Sequence, residues 1–285
     1  MTLADELKQA REKGVAIGHF NFSDMAGLYA IAAAARELNV PVIVGVSEGE
    51  RGFTGVAEAA ALVKAIAAQY NQRIYMNADH THSLEGALAA AKAGFDSIVF
   101  DLSSLPMDQN IAQTAQAVKE LKAINPAIII EGEIGNIGSG SEVHDKAPEN
   151  LGLSTVEEAV NFVKATGVDV LAPAVGNMHG ILPSMLTGEV QKRLHIDRIK
   201  EISQATGLYM TLHGGSDTND GDLVAAIKAG ITVVHINTEI RVAWRKALDA
   251  SLAADKDQIA PYKVFAPVQK AVEEVVKSRL KVFNQ

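Results

Sequence analysis

The sequence of 285 residues contains no cysteine, which excludes disulfide bonds and thiolate metal ligands. Basic residues are in the minority, because 26 lysines and arginines stand against 34 aspartates and glutamates, for a formal net charge of −8. This acidic balance argues against nucleic acid or an anionic membrane surface as a partner. It does not exclude a phosphorylated metabolite, since backbone N–H groups can bind phosphate inside an acidic protein.

Long apolar runs are also lacking: no stretch reaches membrane-spanning length without a polar break. The N-terminal segment, MTLADELKQAREKG, is charged and helix-like and lacks the apolar core of a signal peptide. No linker or shift in composition divides the chain. With 48% hydrophobic and 21% charged residues, the sequence predicts one soluble, cytoplasmic domain over residues 1–285.

One pattern occurs three times, at residues 85–101, 157–173 and 221–237. Each copy has an amphipathic helical pattern, a glycine just past a lysine, and a short run of β-branched residues. The glycine suits the left-handed conformation that commonly ends a helix. Repeated helix-to-strand units of this kind predict a parallel sheet with right-handed crossovers.

The whole chain contains eight strand-like runs separated by helical patterns. We predict strands at 15–21, 42–47, 74–79, 97–101, 127–133, 169–174, 208–213 and 232–237. We predict helices at 24–39, 56–69, 84–93, 108–123, 155–165, 197–205, 219–229, 240–254 and 266–281. Eight parallel strands in about 250 residues are typical of an α/β TIM (β/α)8 barrel, here with an extra C-terminal helix. A doubly wound open sheet is the alternative, but polar residues end nearly every strand, which favours one ring-shaped site.

Three histidines and one aspartate lie at the carboxyl ends of these strands: Asp79 and His80 at the third, His179 after the sixth and His213 at the seventh. A regular strand would point Asp79 and His80 to opposite faces, so we expect a turn near Asp79. One histidine at a strand end is more often a hydrogen-bonding residue, but three neutral imidazoles at one barrel rim can form an open zinc site. Asp79 could then move a proton on a group that the metal polarises.

Carboxylates cluster at the same rim, with Asp101 at the end of strand four and Glu131 and Glu133 at the end of strand five. Because unpaired charges inside a barrel are costly, these acids indicate a cation site or hydrogen bonds to the histidines. A purely structural hydrogen-bond network is the alternative.

The segments after the last two strands suit phosphate binding. They read HGGS at 213–216 and NTE at 237–239, and in TIM barrels these loops commonly hold phosphate on backbone N–H groups and a helix N-terminus. Two other loops, at 134–152 and near 178–196, are unusually long. We interpret them as active-site lids or subunit contacts, with a disordered surface insertion as the alternative.

Together these motifs resemble the class II, metal-dependent ketose-bisphosphate aldolases, the family of fructose- and tagatose-bisphosphate aldolases. The shared motifs are D-H at 79–80, E-x-E-x-G at 131–135, G-x-x-H-G at 176–180 and L-H-G-G-S at 212–216. The resemblance implies zinc as the cofactor, a monovalent cation as a second one, and a small-molecule sugar phosphate as the partner. It also implies a homodimer or homotetramer.

The resemblance implies roles for individual residues as well. Zinc would lie on His80, His179 and His213, with Asp101 and Glu133 as carboxylates near the metal. Asp79 would move the proton of the C4 oxygen, and Glu142, in the loop after strand five, would handle the donor's proton. Substrate contacts would come from Gly180, Gly214, Gly215, Ser216, Asn237, Thr238 and Arg241, the last of which can reach a neighbouring subunit.

The implied reaction is reversible cleavage of a ketose between C3 and C4 into dihydroxyacetone phosphate and an aldehyde. Zinc would stabilise the enediolate that cleavage leaves behind. A Schiff-base lysine is the metal-free route, but Lys92, Lys164 and Lys228 all lie at predicted helix ends. A zinc hydrolase, or a diverged barrel that only binds a sugar phosphate or a protein, are the alternative functions.

The sequence departs from the family pattern in several places. The usual Ile-Asp-Gly-Ser-His reads Phe-Asp-Leu-Ser-Ser at 100–104, His235 replaces the strand-eight asparagine, and Asn237 replaces an aspartate. No lysine follows Gly180 to meet phosphate, and an Asp-Pro-Arg reads Ala-Pro-Tyr at 260–262. We therefore predict poor use of fructose 1,6-bisphosphate relative to another ketose phosphate, for example one with a single phosphate.

Overall fold

The computed structural model describes residues 1–138, 140–146 and 151–285. Eight parallel strands close into a barrel in sequence order, with β1 paired to both β2 and β8. The strands are β1 Ile17–Asn21, β2 Val42–Val46, β3 Ile74–Thr81, β4 Ser97–Phe100, β5 Ile129–Ile134, β6 Val170–Pro173, β7 Tyr209–Leu212 and β8 Ile231–Ile236. The predicted TIM barrel is confirmed, and the open-sheet alternative is wrong because β8 pairs with β1 instead of leaving two free edges.

Helices connect the strands and cover the outside of the barrel. They are α1 Leu3–Lys13, α2 Met25–Leu38, α3 Glu48–Thr54, α4 Val56–Tyr70, α5 Leu84–Ala93, α6 Met107–Ile124, α7 Val156–Thr166, α8 Pro183–Leu186, α9 Ile196–Thr206, α10 Asp220–Ala229, α11 Thr238–Ala254 and α12 Pro261–Phe283. The short helices α3 and α8 were not predicted. The last helix begins at Pro261 instead of 266, because proline is well tolerated in the first turn of a helix.

The amino end of the barrel is closed by α1. Leu3, Leu7 and Ala10 of this helix are buried against aliphatic residues from the first halves of the strands, such as Ile17 and Ile43. This plug fills the lower interior with apolar side chains, next to a buried hydrogen-bonded group of His19, Asn77 and Ser97.

The C-terminal helix α12 contacts α2, α10 and α11 and contributes Val272, Val276 and Leu280 to the main core. In the described parts of the chain, no helix is both long enough and apolar enough to cross a bilayer.

Candidate functional site

The three predicted histidines converge at the carboxyl rim of the barrel. The Nε2 atom of His80 lies 3.1 Å from Nδ1 of His213, and the ring centroids of His80 and His179 are 4.7 Å apart. A break in strand register between Ala78 and Thr81, together with a positive φ of 37° at His80, turns this imidazole inward. The predicted turn near Asp79 is therefore present, one residue later.

The geometry of this cluster fits a divalent metal. One ligand atom from each of His80, Glu133, His179 and His213 lies within 4.8 Å of the others. The Oε2 atom of Glu133 is buried and has no hydrogen-bond partner among the described residues. Three imidazoles and a carboxylate are ligands that zinc commonly takes, so the residues fit the zinc ion that the sequence predicted.

Carboxylates behind the cluster fix the orientation of two rings. Nδ1 of His80 lies 2.9 Å from Asp101, and Nε2 of His213 lies 2.6 Å from Glu131. If each of these nitrogens carries a proton and donates it, Nε2 of His80 and Nδ1 of His213 are left free for a metal. Asp101 thus lies behind a ligand and outside the four-residue group, so its position favours orientation of His80 over direct ligation.

The electrostatics of the cluster also favour a cation. Burial lowers the pKa of His213 to about 3 and the pKa of His179 well below its usual range, so both rings are neutral at pH 7. Burial also opposes protonation of His80, but the carboxylates of Asp79, Asp101 and Glu133 raise its pKa to about 10. The negative potential that would protonate His80 would equally attract a metal ion.

The predicted proton carrier, Asp79, lies beside the cluster. Its Oδ2 atom accepts a hydrogen bond of 2.8 Å from the Asn21 amide, and its Oδ1 atom is 3.4 Å from Nδ1 of His235 and 3.8 Å from Nε2 of His80. Burial would raise the pKa of Asp79, but the positive charge of His80 and the contact with His235 hold it well below its usual value. Asp79 is therefore a carboxylate at neutral pH.

His235 stacks on a second buried histidine. The rings of His19 and His235 lie parallel with centroids 3.5 Å apart, because the two residues are register partners on β1 and β8. Gly45 on β2 makes room for this pair, since a Cβ there would overlap the ring of His19. Burial lowers the pKa of His235 to about 4, so it faces Asp79 as a neutral imidazole.

The predicted phosphate-binding residues lie around the same narrow pocket as the histidines. Asn237 directly precedes α11, and its buried Oδ1 atom has no hydrogen-bond partner within the described residues. The N–H of Gly215 donates to the His235 carbonyl, so Gly215 supports the turn from below. Five of the predicted substrate contacts line the pocket: Gly180, Gly214, Ser216, Asn237 and Thr238.

Glu142 and Arg241 lie farther out, at a cleft of about 900 Å³ that adjoins this pocket. Glu142 is exposed, and its carbonyl accepts the N–H of Ile181 at 3.0 Å. Arg241 donates to Glu50 at 2.6 Å and to the Ser141 carbonyl at 3.2 Å, so it faces a carboxylate of its own chain. Residues 139 and 147–150 of the predicted lid lie outside the described residues.

Four residues of the site were missed at the sequence level. The Asn21 amide donates to both Glu50 and Asp79, and the Ser103 hydroxyl donates to Asp101 and Glu133. Lys192 donates to backbone carbonyls beneath the pocket. Asn21 could have been found as a polar residue at a strand end, but Glu50 and Lys192 stand in segments without such a signal.

Comparison with known proteins identifies the family. The sequence profile of class II fructose-bisphosphate aldolases matches residues 1–285. A probable fructose-bisphosphate aldolase of Bacillus subtilis is 33% identical, and a fructose-bisphosphate aldolase of Staphylococcus aureus is 32% identical, each over all of this chain and 97% of its own length. The crystal structure of the Escherichia coli YdjI aldolase superposes with a TM-score of 0.80 at 26% identity, covering 99% of this chain and 96% of that one.

The barrel fold and these similarities together identify the class of the protein, which is a lyase of carbohydrate metabolism with a TIM-barrel fold. More narrowly, the chain belongs to the class II fructose-bisphosphate aldolase family. The resemblance deduced from the sequence motifs and the predicted enzyme class are thereby confirmed.

Proposed function

We propose that this chain is a zinc-dependent aldolase that reversibly cleaves a phosphorylated ketose into dihydroxyacetone phosphate and an aldehyde. The observation that carries the proposal is the convergence of His80, His179 and His213 next to the ionised carboxylate of Asp79. The names of the relatives in Bacillus subtilis and Staphylococcus aureus support the same reaction.

Zinc held by the three histidines, with Glu133 within reach, would supply a Lewis acid that stabilises negative charge on the ketose carbonyl oxygen. The chain's own carboxylates orient this site. Asp101 and Glu131 hold the rings of His80 and His213, and the Ser103 hydroxyl in turn binds Asp101 at 2.7 Å.

Proton transfer at the substrate is assigned to Asp79. In cleavage, Asp79 takes the proton of the C4 hydroxyl, the C3–C4 bond breaks, and C4 becomes the carbonyl carbon of the released aldehyde. The electron pair of the broken bond stays on the donor fragment as an enediolate. The hydrogen bond from Asn21 holds the Asp79 carboxylate in position for this step.

Protonation of the donor carbon completes the reaction, and we assign it to Glu142. Its segment is tethered next to the pocket by the pairing of Val143 with Ile181 and by the hydrogen bond from Arg241 to Ser141. The carboxyl group of Glu142 is exposed at the cleft, which suits a group that approaches only when substrate is bound.

Phosphate binding is assigned to the turn after β7 and to the start of α11. Gly180, Gly214 and Ser216 line the narrow pocket, and Thr238 begins a helix of 17 residues whose N-terminus is positively polarised and suits an anion. Gly215 supports this turn through its N–H to the His235 carbonyl, Asn237 lies beside it with no described hydrogen-bond partner on its Oδ1 atom, and Arg241 borders it from the cleft. A sugar phosphate is the partner that suits these groups.

We further propose that residues 1–285 fold as one unit in the cytoplasm and assemble as a homodimer or homotetramer. Large hydrophobic side chains that are largely exposed, at Phe53, Ile259 and Tyr262, support contacts between subunits. Size-exclusion chromatography with light scattering tests the assembly, and a monomer at micromolar concentration would contradict it.

The proposed function is tested by measuring bound zinc together with product release from a panel of ketose phosphates. We expect one zinc per chain and release of dihydroxyacetone phosphate. Inorganic phosphate without an aldol product would favour the zinc hydrolase, and binding without turnover would favour the non-catalytic barrel. A lysine adduct trapped by borohydride would contradict the metal-dependent route.

A further inference from the structure

Lys192 has a buried ammonium group that is surrounded by backbone carbonyl oxygens. It lies between α8 and α9, and only 4% of the residue is exposed. Its Nζ atom lies 2.9 Å from the carbonyl oxygen of Met178, 2.6 Å from that of Gly180 and 3.0 Å from that of Gly214. All three N–H groups of the ammonium therefore donate hydrogen bonds to uncharged carbonyl oxygens.

No carboxylate pairs with this charge at short range in the described parts of the chain. Lys192 forms no ion pair within 4 Å with a described residue, and the acids whose charges influence it are Asp217 and Glu239. A buried charge without a counter-ion is costly unless dipoles compensate it. Three carbonyl oxygens turned toward one point supply such dipoles, and the same arrangement would suit a bare monovalent cation.

The three carbonyls belong to the two loops that carry metal ligands. Met178 and Gly180 flank His179, and Gly214 directly follows His213. The two loops are in contact here, and they approach so closely that a Cβ on Gly214 would collide with the carbonyl of Met178. The ammonium thus ties the backbone beside two histidines to the first glycine of the phosphate-binding turn.

The backbone of Lys192 is itself fixed to the loop after β7. Its N–H donates to the Asp217 carbonyl at 3.1 Å, and its carbonyl accepts the N–H of Asn219 at 3.2 Å. These two hydrogen bonds fix the backbone from which the side chain of Lys192 extends into the space between the two loops.

We infer that Lys192 is a built-in cation, which takes the place of the monovalent ion expected at the sequence level and positions His179, His213 and the phosphate-binding turn. The aldolase is accordingly independent of added sodium or potassium. The effect on turnover rests on the proposed function. The structural part, a carbonyl cage filled by an ammonium, does not.

The variant Lys192→Met tests this inference, because methionine has a similar length and no charge. We expect wild-type activity and melting temperature to be the same in potassium, sodium and tetramethylammonium buffers at equal ionic strength. In tetramethylammonium, K192M should lose at least about tenfold in kcat/KM, since it lacks a charged donor to three carbonyls. Potassium or ammonium ions should then raise both its activity and its melting temperature saturably.

Lys228→Met is the matched control. Lys228 also donates to two backbone carbonyls, of Gly14 at 2.8 Å and Gln285 at 2.9 Å, but it is exposed at the amino end of the barrel. We expect K228M to show no specific response to potassium or ammonium in either measurement.

Three results would overturn the inference. One is activation of the wild-type protein by potassium or sodium over tetramethylammonium. Another is a K192M variant that is weakened but indifferent to small cations, since that result would reduce Lys192 to packing. The third, which does not depend on any variant folding, is an anomalous rubidium peak among the three carbonyls in crystals of the wild-type protein. The cation-dependent melting temperature is measured without substrate, so it remains decisive even if no aldolase activity is found.

Discussion

Replacing Asp79 with asparagine separates proton transfer from metal binding. The asparagine has the same shape and can still accept the hydrogen bond that Asn21 donates at 2.8 Å. Asp79 is outside the group of four ligand residues, which is His80, Glu133, His179 and His213. We therefore expect D79N to fold and to keep its zinc.

The expected loss lies in turnover. A positioned acid or base contributes about 10²–10⁴ in rate, which corresponds to about 3–5 kcal/mol at 1.36 kcal/mol for each factor of ten. An amide can neither take the C4 proton nor return it, so both directions of the reaction should slow by the same factor. Release of dihydroxyacetone phosphate, coupled to a NADH-dependent reductase, measures the rate, and atomic absorption measures zinc in the same preparation.

Asp96→Asn is the control for this experiment. Asp96 also accepts a hydrogen bond of 2.8 Å, from the Met76 N–H, but it lies at the amino end of β4. D96N should keep both zinc and turnover. Loss of zinc from D79N would show that Asp79 is a ligand. Turnover within about threefold of the wild type would show that another group, such as His235, is the base.

Three further predictions follow from the same geometry. Glu142→Ala should slow exchange of the donor-carbon proton more than it raises the dissociation constant of the substrate, and equal effects on both would reduce Glu142 to a surface residue. Gly214→Ala should lower the free energy of unfolding by more than Gly207→Ala does. Both glycines have positive φ, a backbone conformation that costs another residue about 1–2 kcal/mol. Only at Gly214 would the added Cβ also meet the Met178 backbone. Fructose 1,6-bisphosphate should be used roughly 10- to 100-fold less well than the best ketose phosphate, because one charge-assisted phosphate contact is missing; efficient cleavage, measured as kcat/KM, would show that other groups replace it.

The barrel could be predicted from the sequence because its signals are local. Each strand ends within two residues of its predicted limits, since apolar runs bounded by glycine and polar residues determine where strands form. The ends of the helices at Gly94 and Gly167 were equally predictable from the sequence, because glycine adopts the left-handed conformation found there without strain.

The site was predictable only as far as strand ends determine it. Barrel closure brings the strand ends that carry His80, His179 and His213 to one rim, and the break in register after Ala78 turns His80 inward. The position of Asp101 behind His80 depends on side-chain rotamers, which no sequence pattern specifies. The stacking of His19 on His235 depends on the closure of β8 against β1, a contact between residues 216 positions apart.

Lys192 and Glu50 are the clearest examples of site residues that the sequence alone could not reveal. Lys192 lies in a loop without periodicity, and its partners are backbone carbonyls, which leave no trace in side-chain patterns. Glu50 stands in the short helix α3, and its partner Arg241 lies on α11 at the other end of the chain. Such contacts become visible only when the loops are placed in three dimensions.

The central claim is that one zinc on three histidines makes this barrel an aldolase, and a metal titration tests it most directly. Protein stripped with a chelator is titrated with zinc while release of dihydroxyacetone phosphate is followed, with His179→Ala as the comparison. We predict that activity rises linearly from near zero, breaks at one zinc per chain, and is not restored in H179A at the same concentrations. Full activity before zinc is added, or the same titration curve for H179A and the wild-type protein, would contradict the account.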